Sequence, residues 1–335
     1  MEGEKGIVCV TGGAGYLASW LIKRLLQHGY TVRTTVRSDP QFKEDISHLK
    51  SLPEASKNLQ VYEADLDKPK SFDDVINGCI GVFHVAHPID FEGNKMSQDK
   101  AIKISIEGTL GILKACLKSK TESRTAVKRV VYTSSVAAAV FISNKKDVEE
   151  INENIWTEVE TLKKNEFTRN GYLISKTLTE RSALKFAEEH DLDLVTLLPS
   201  MIVGPFLTSN LPFSLTISQA LVLDNKENCK ILKNLNNAVH IDDVASAQIY
   251  LFECPEAKGR HICSSVDITI HDIAKLMSIK YPELQLPTDL LMEIEEEKPV
   301  HISSKKLLNL GFKFKYGFED MYSDAIQCCK DKGFL

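Results

Sequence analysis

From Ile7 to Leu198, short apolar runs alternate with stretches whose apolar positions recur at helical spacing. The run that begins at Ile7, and those at Thr31–Val36, Leu59–Ala64, Ile80–Ala86, Val127–Thr133 and Leu194–Leu198, are rich in β-branched and aromatic residues, which predicts strands. Between them, apolar positions three and four apart predict helices. One carries Trp20, Leu21, Leu25 and Leu26 on its inner side and stops near Gly29; another lies around 71–76. A third runs from about 98 to 117, with Gly108 and Gly111 permitting close packing. A fourth runs from about 171 to 189, with Leu178, Leu184 and Phe186 on its buried side. Strand and helix in strict alternation require right-handed parallel crossovers. The expected fold is therefore α/β, a doubly wound parallel sheet that holds its ligands at the carboxyl ends of the strands.

The last of these strands breaks at Pro199, and past Pro205 the pattern changes character. The stretch 206–237 holds Pro212, several Asn residues and one predicted helix near 215–223, and reads as an insertion capping the sheet. Residues 238–245 open another helix with Asp242 or Asp243 as its cap, 259–264 is the last predicted strand, and amphipathic helices follow near 271–279, 304–310 and 318–330. The predicted organisation is a dinucleotide-binding domain over 1–205, to which 238–264 returns. A smaller, mostly helical substrate-binding lobe is made from 206–237 and 265–335.

The run at Ile7 breaks into Thr11-Gly-Gly-Ala-Gly-Tyr-Leu-Ala18 before helical spacing resumes. Glycines there let the backbone come close to a ligand, and the start of the next helix presents N–H groups and a positive dipole end, which together suit a pyrophosphate. Gly13, Gly15 and Ala18 satisfy G-x-G-x-x-G/A, and Gly12, Gly15 and Ala18 satisfy G-x-x-G-x-x-A. The second strand ends on Arg37, roughly where NAD-selective folds carry an acid for the ribose 2′-hydroxyl. A cation there suits a 2′-phosphate, so NADP is favoured over NAD, although Glu44 and Asp45 stand nearby. Asp65 and Ala86 fall on further strand ends. They suit an adenine amino group and a close backbone approach, or else ordinary loop-entry chemistry.

The strand that closes at Thr133 runs into Ser134-Ser135, and the following helix opens with Tyr172 and Lys176, one turn apart on one face. A phenol with an ordinary pKa near 10 is a poor acid; a neighbouring ammonium and an oxidised nicotinamide favour the phenolate and bring it into use. Tyr172 is expected to give a proton to a carbonyl oxygen, with Lys176 tuning it and gripping a ribose, and Ser135 bonding the same oxygen. Ser134 reads as a strand-end hydrogen bonder.

Composition narrows the partners. A formal net charge of −5 with dispersed Lys and Arg gives no footprint for nucleic acid or an anionic membrane. The eight cysteines show no C-x-x-C spacing, which fits free thiols in a reducing cytoplasm. His84 and His87 lack the further ligands of a zinc site, Ser135 lacks a G-x-S-x-G elbow, and His240 reads as a structural hydrogen bonder. The expected partner is a small-molecule substrate of a monomer or homodimer.

The glycine motif, Thr133-Ser-Ser135, Tyr172-Leu-Ile-Ser-Lys176, Pro199-Ser-Met-Ile-Val-Gly-Pro205 and Val239-His-Ile-Asp-Asp243 together resemble an extended short-chain dehydrogenase/reductase of the plant dihydroflavonol-reductase-like group, over essentially the whole chain. The tail Phe312-Lys-Phe-Lys-Tyr316 is similar to isoflavanone ketone reductases of that group. Residues 32–40 and 261–267 are similar to its alkaloid lactol-oxidising members. The resemblance implies a Rossmann domain, the Ser135, Tyr172 and Lys176 roles, and cofactor contacts at Thr11, Gly12, Gly13, Gly15, Tyr16, Leu17, Arg37, Asp65, Leu66, Val85, Ala86, Tyr172, Lys176, Pro199 and Ile202. It also places Ser105 where broader relatives carry a catalytic Asn, there holding a relay water to Lys176. Val140 stands where dihydroflavonol reductases place a flavonoid-gripping Asn, which disfavours dihydroflavonol. His87 stands where the family has a small hydroxyl residue. Val140 and His87 are the expected substrate-pocket positions, with the His87 charge changing near neutral pH; a surface histidine bonded to backbone is the alternative. Two functions stand: an oxidoreductase on a bulky aromatic plant metabolite, and a non-catalytic dinucleotide-binding protein of the same fold.

Overall fold

The computed structural model describes all residues except 1–4, 38–44, 89–96, 123–124, 144–147, 165–169, 285, 293 and 295–298. Its strands are β1 (Ile7–Val10), β2 (Thr31–Val36), β3 (Leu59–Glu63), β4 (Gly81–His84), β5 (Arg129–Thr133), β6 (Glu150–Ile151), β7 (Leu194–Pro199), β8 (Met201–Val203), β9 (Asn237–His240), β10 (Gly259–Cys263), β11 (Val266–Asp267) and β12 (His301–Ile302). Seven of them form one sheet in the order β10-β7-β5-β4-β1-β2-β3, with every neighbouring pair parallel. The order reverses at β1, which lies between β2 and β4, so the glycine turn after Val10 opens at the switch point where such sheets hold ligands.

Alternation within the strands builds the two hydrophobic layers. Val8, Val10 and Val32 face the helices Tyr16–Gln27 and Ile241–Glu253 through Leu21, Leu25, Val244 and Leu251. Cys9, Val82 and Val130 face the other way, onto a cluster with Ile112, Leu113 and Ala183 from the helices Gln98–Glu122 and Asn170–Glu189. The glycines of the first of these two pack as expected: a Cβ on Gly108 would lie 2.8 Å from Leu66, and one on Gly111 2.2 Å from Pro69. The buried face of the Asn170–Glu189 helix differs from the expectation. Leu178, Leu184 and Phe186 are half-buried, whereas Ile174, Thr177, Glu180, Ala183 and Ala187 are buried. Small and polar side chains let the helix approach the sheet closely, and the larger ones fill its margins.

The C-terminal part carries more strand than its sequence suggests. Ser200 interrupts the chain without ending it, and β8 starts at Met201, pairs parallel with β9, and is joined through it by antiparallel β11. A separate β6–β12 pair is parallel. In place of one helix near 215–223 there are two, Phe213–Ser218 and Lys226–Leu232, the second capped by Asn225, whose side chain accepts from Asn228 N–H. The Ile241–Glu253 helix is capped by His240, not by an Asp: Nδ1 accepts from Asp242 N–H at 3.1 Å. The Asp pair instead ties distant segments, Asp242 accepting from Trp20 Nε1 (2.8 Å) and Asp243 from the Lys315 and Tyr316 backbone. One core cluster gathers Leu215 and Leu232 with Ile273, Met277, Met321 and Tyr322. Among the described residues, no helix is long and apolar enough to cross a membrane.

Candidate active site

A cleft of about 2070 Å³ runs along the carboxyl ends of the strands, roofed by the stretch 208–235. Its floor begins at the glycine turn. Gly12 has φ +73°, and a Cβ there would meet the Ala86 Cα and Cβ at 3.1 Å, so the turn and the β4 exit pack backbone to backbone. Gly15 is the N-cap of the Tyr16–Gln27 helix and makes no side-chain cap. The first N–H groups of such a helix have no partner within it, and here Gly12, Ala14, Gly15, Tyr16 and Leu17 line the cleft. A cradle closed to larger side chains at an uncapped helix start fits a pyrophosphate, and a cleft of this size fits a dinucleotide with a substrate beyond it.

Thr11 and Gly13 lie beneath that surface. Gly13 is buried against β2, where a Cβ would stand 2.1 Å from Thr34 Oγ1. Thr11 is fully buried, and its Oγ1 accepts from the Val85 and Ala86 N–H groups at 3.1 and 3.0 Å. With both lone pairs used, its own proton goes to His84 Nδ1 at 2.9 Å, which leaves Nε2–H to donate to Thr109 Oγ1 at 2.9 Å. Both nitrogens of His84 are thus committed to hydroxyls, and burial first, then the Lys176 charge, lowers its pKa to about 3.

At the β2 and β3 ends, Arg37 is exposed and lines the cleft together with Asp45, Asp65 and Leu66. Asp45 accepts the Ser47 N–H at 2.9 Å, and Asp65 accepts the Asp67 N–H at 3.0 Å. Glu44 lies outside the described residues. Val85, Ala86, Pro199 and Ile202 complete the wall expected for a cofactor.

Ser135, Tyr172 and Lys176 share the next stretch of wall. Ser135 has extended backbone and opens a 3-10 turn, Val136–Ala138, by accepting the Ala137 N–H at 3.2 Å. Lys176 is buried and donates from Nζ to the Thr133 carbonyl at 3.0 Å. Burial lowers its pKa to about 7, against the pull of Glu180. The Tyr172 phenol runs contrary to expectation: burial raises its pKa, and the opposing influence is the hydrogen bond with Ser135. Desolvation of the phenolate outweighs what the neighbouring residues return.

The end of the cleft expected to take substrate is apolar, with Ile104, Val140, Phe141, Leu162, Leu173 and Phe213 among its walls. His87 lines it too, half-buried, its ring edge-on to Tyr172 with centroids 5.8 Å apart and Nε2 3.4 Å from Ser175 Oγ. It is therefore no surface histidine bonded to backbone. Nor does its charge change near neutral pH, because burial, reinforced by Lys176 and His84, holds its pKa well below 6.5. Ser105, expected beside a relay water, is buried and takes a hydrogen bond from Ser175 at 3.0 Å.

Sequence reasoning missed Glu180, which is fully buried behind this wall and bonded to Ser134, Thr196 and Arg260. The available signal was its spacing, one helical turn past Lys176 and two past Tyr172.

A model of the NAD dependent epimerase/dehydratase family matches residues 8–263. Noscapine synthase of Papaver somniferum is 58% identical over 339 residues, covering 100% of this chain and 95% of that protein. Vestitone reductase of Medicago sativa is 46% identical over 336 residues, covering 100% of each. The crystal structure of vestitone reductase from alfalfa superposes with a TM-score of 0.85 at 44% identity, covering 99% of this chain and 100% of that chain.

Proposed function

The chain belongs to the NAD dependent epimerase/dehydratase family and is an NAD(P)-dependent oxidoreductase; from that premise we propose that it interconverts a carbonyl and an alcohol, or a lactol and a lactone, on a bulky aromatic plant metabolite. The observation that carries this reading is the convergence of Ser135, Tyr172 and Lys176 on one wall of the cleft whose floor is the glycine cradle. Relatives named for noscapine and for vestitone support an alkaloid- or isoflavonoid-like substrate.

The nicotinamide cofactor, when bound, supplies the hydride. The chain's residues hold and aim. Gly12, Gly15, Tyr16 and Leu17 would take the pyrophosphate, Asp65, Leu66, Val85 and Ala86 the adenosine side, Pro199 and Ile202 the nicotinamide side, and Arg37 a 2′-phosphate, which makes NADP the preferred form. Tyr172 holds the proton destined for the substrate oxygen, Ser135 hydrogen-bonds that oxygen, and Lys176 bonds the ribose and steadies the phenolate once its proton has left. Val140 gives apolar contact and His87 a neutral hydrogen-bonding group. We assign the substrate lobe to 206–237 and 265–335, and the setting to a cytoplasmic monomer or homodimer; the eight free cysteines support a reducing compartment.

The test follows the reduced-nicotinamide absorbance while aromatic ketones, lactols and alcohols are offered with NADP(H) and with NAD(H). Turnover of a bulky aromatic member with NADP(H) supports the reading. Tight cofactor binding with no turnover across the panel replaces it with the non-catalytic alternative.

A further inference from the structure

We infer that Glu180 is a positioning residue for the proposed reaction: its buried carboxylate clamps the Ser134–Ser135 strand end to the Tyr172–Lys176 helix and keeps the Lys176 ammonium charged.

The geometry is a four-way clamp. Glu180 is 0% exposed, and its oxygens accept from Ser134 Oγ (2.7 Å), Thr196 Oγ1 (2.6 Å), Arg260 Nε (3.0 Å) and Arg260 Nη2 (3.4 Å). These bonds join the Asn170–Glu189 helix to the end of β5, to β7 and to β10. Arg260 extends the clamp. It donates to the Glu153 and Ile155 carbonyls at 2.7 Å each and to the Ala138 carbonyl at 3.4 Å, and its guanidinium lies 3.6 Å from the Trp156 ring centroid. Ala138 closes the turn that Ser135 opens, so the two ends of that turn are pinned through Glu180 and Arg260.

A buried ion pair seldom adds net stability over apolar residues of the same size, so a fully satisfied pair directly behind the reacting groups calls for a use other than stability. The charges around Lys176 supply one. Tyr172 and Glu180 share its helix, the Thr133 carbonyl and the Tyr132 ring (5.7 Å to its centroid) face it from β5, and neutral His84 and His87 face it from the β4 exit. Among these groups Glu180 alone is a carboxylate, one helical turn away. Burial draws the Lys176 pKa down to about 7, and Glu180 opposes that. Without it, the midpoint would fall below 7, and the lysine that must be cationic to steady a phenolate would be largely neutral at pH 7.

This inference rests on the catalytic reading above, and its test separates the two. Lysine labelled with ¹³C at the ε-carbon is titrated by NMR in the full chain, with the Lys176 signal assigned by its loss in Lys176→Met. Glu180→Gln should lower the Lys176 midpoint by about one pH unit or more, the scale of removing one close opposite charge. The alkaline limb of the pH–rate profile should move with it. Thr196→Val, which removes a clamp bond and leaves the charge, should lower stability and leave the midpoint in place. If Glu180→Gln does not fold, Glu180→Gln combined with Arg260→Met removes the pair without orphaning a buried charge, and the midpoint should again fall. An unmoved midpoint overturns the inference even in an active enzyme. A lowered midpoint in a protein that turns over no carbonyl or alcohol overturns the catalytic reading and leaves the Glu180–Lys176 coupling standing.

Discussion

Lys176 Nζ donates to the Thr133 carbonyl oxygen at 3.0 Å, so the ammonium is held by the sheet as well as by its own helix. Ser135 lies two residues beyond that carbonyl, and Tyr172 one turn before Lys176. This contact therefore helps tie the strand end that carries Ser135 to the helix that carries Tyr172 and Lys176. It also means that the phenol, which burial makes a weaker acid, depends on an arrangement set before any substrate arrives.

Tyr172→Phe removes the proton and keeps the ring. Its kcat should fall by roughly 10²–10⁴-fold, the share attributable to general acid–base catalysis, while reduced-cofactor affinity barely changes. Steady-state rates and a fluorescence titration with NADPH read the two separately. Retained turnover would remove Tyr172 from the mechanism.

Thr11→Val keeps shape and deletes one hydroxyl. Two backbone N–H groups, of Val85 and Ala86, and His84 Nδ1 then lack their partner, so stability should fall by ~1–3 kcal/mol. Cofactor affinity should fall as well, because the β4 exit forms part of the cleft floor. Urea denaturation gives the first quantity and NADPH titration the second; a variant as stable as the parent contradicts the role drawn for Thr11.

What the sequence made legible follows from the range of the physics involved. Strand and helix periods are local, so the doubly wound parallel sheet could be read from runs such as those around Val8, Val32, Val82 and Val130. The Ser135, Tyr172 and Lys176 set could be read from spacing within one unit. Spacing put Glu180 on the same helix face but gave it no role, since a Glu inside a helix reads as solvated until the fold brings Arg260, eighty residues on, against it. The state of His87 was illegible for the same reason: its pKa is lowered by burial under other segments, not by its neighbours in sequence. β6, β8 and β12 are too short to carry a period, and the His240 cap competed with two better-known capping residues directly after it.

Gly13→Ala tests whether packing or ligand approach requires the glycine. The new Cβ would sit 2.1 Å from Thr34 Oγ1, so overpacking should cost ~1–3 kcal/mol. Thr34→Ala alone loses the bond to the Val10 carbonyl, about 1 kcal/mol. The double variant keeps only a 3.1 Å approach to the Thr34 Cβ, so Gly13→Ala should cost less in the Thr34→Ala background than alone, and the double should melt close to Thr34→Ala. If Gly13→Ala costs as much in that background as alone, Thr34 is not what excludes the side chain.

Arg37→Asp should weaken NADP(H) far more than NAD(H), because a charge-assisted bond to phosphate becomes repulsion beside Asp45, which lines the same cleft. Dissociation constants for both cofactors are compared before and after the change. Equal losses, or a parent protein that already prefers NAD(H), would make Arg37 a bystander.

His87→Ala should raise KM for a turned-over aromatic substrate by the same factor at pH 6 and at pH 8. The sign follows from the site. An imidazole with its pKa near 6.5 would be largely protonated at pH 6 and neutral at pH 8, so its removal would cost differently at the two ends. Burial, with the Lys176 charge acting in the same direction, holds His87 well below 6.5, so it is neutral throughout that window and offers the same donor and acceptor at both ends. Loss of one hydrogen bond to a neutral partner should raise KM by a few-fold to about tenfold, on the scale of ~0.5–1.5 kcal/mol. Michaelis constants for both proteins across pH 6–8 decide the matter. A ratio that grows towards pH 6 would mean that His87 takes a proton when substrate binds. A ratio of one at every pH would move the polar anchor elsewhere, to the roof residues between Thr208 and Leu235 that line the same cleft.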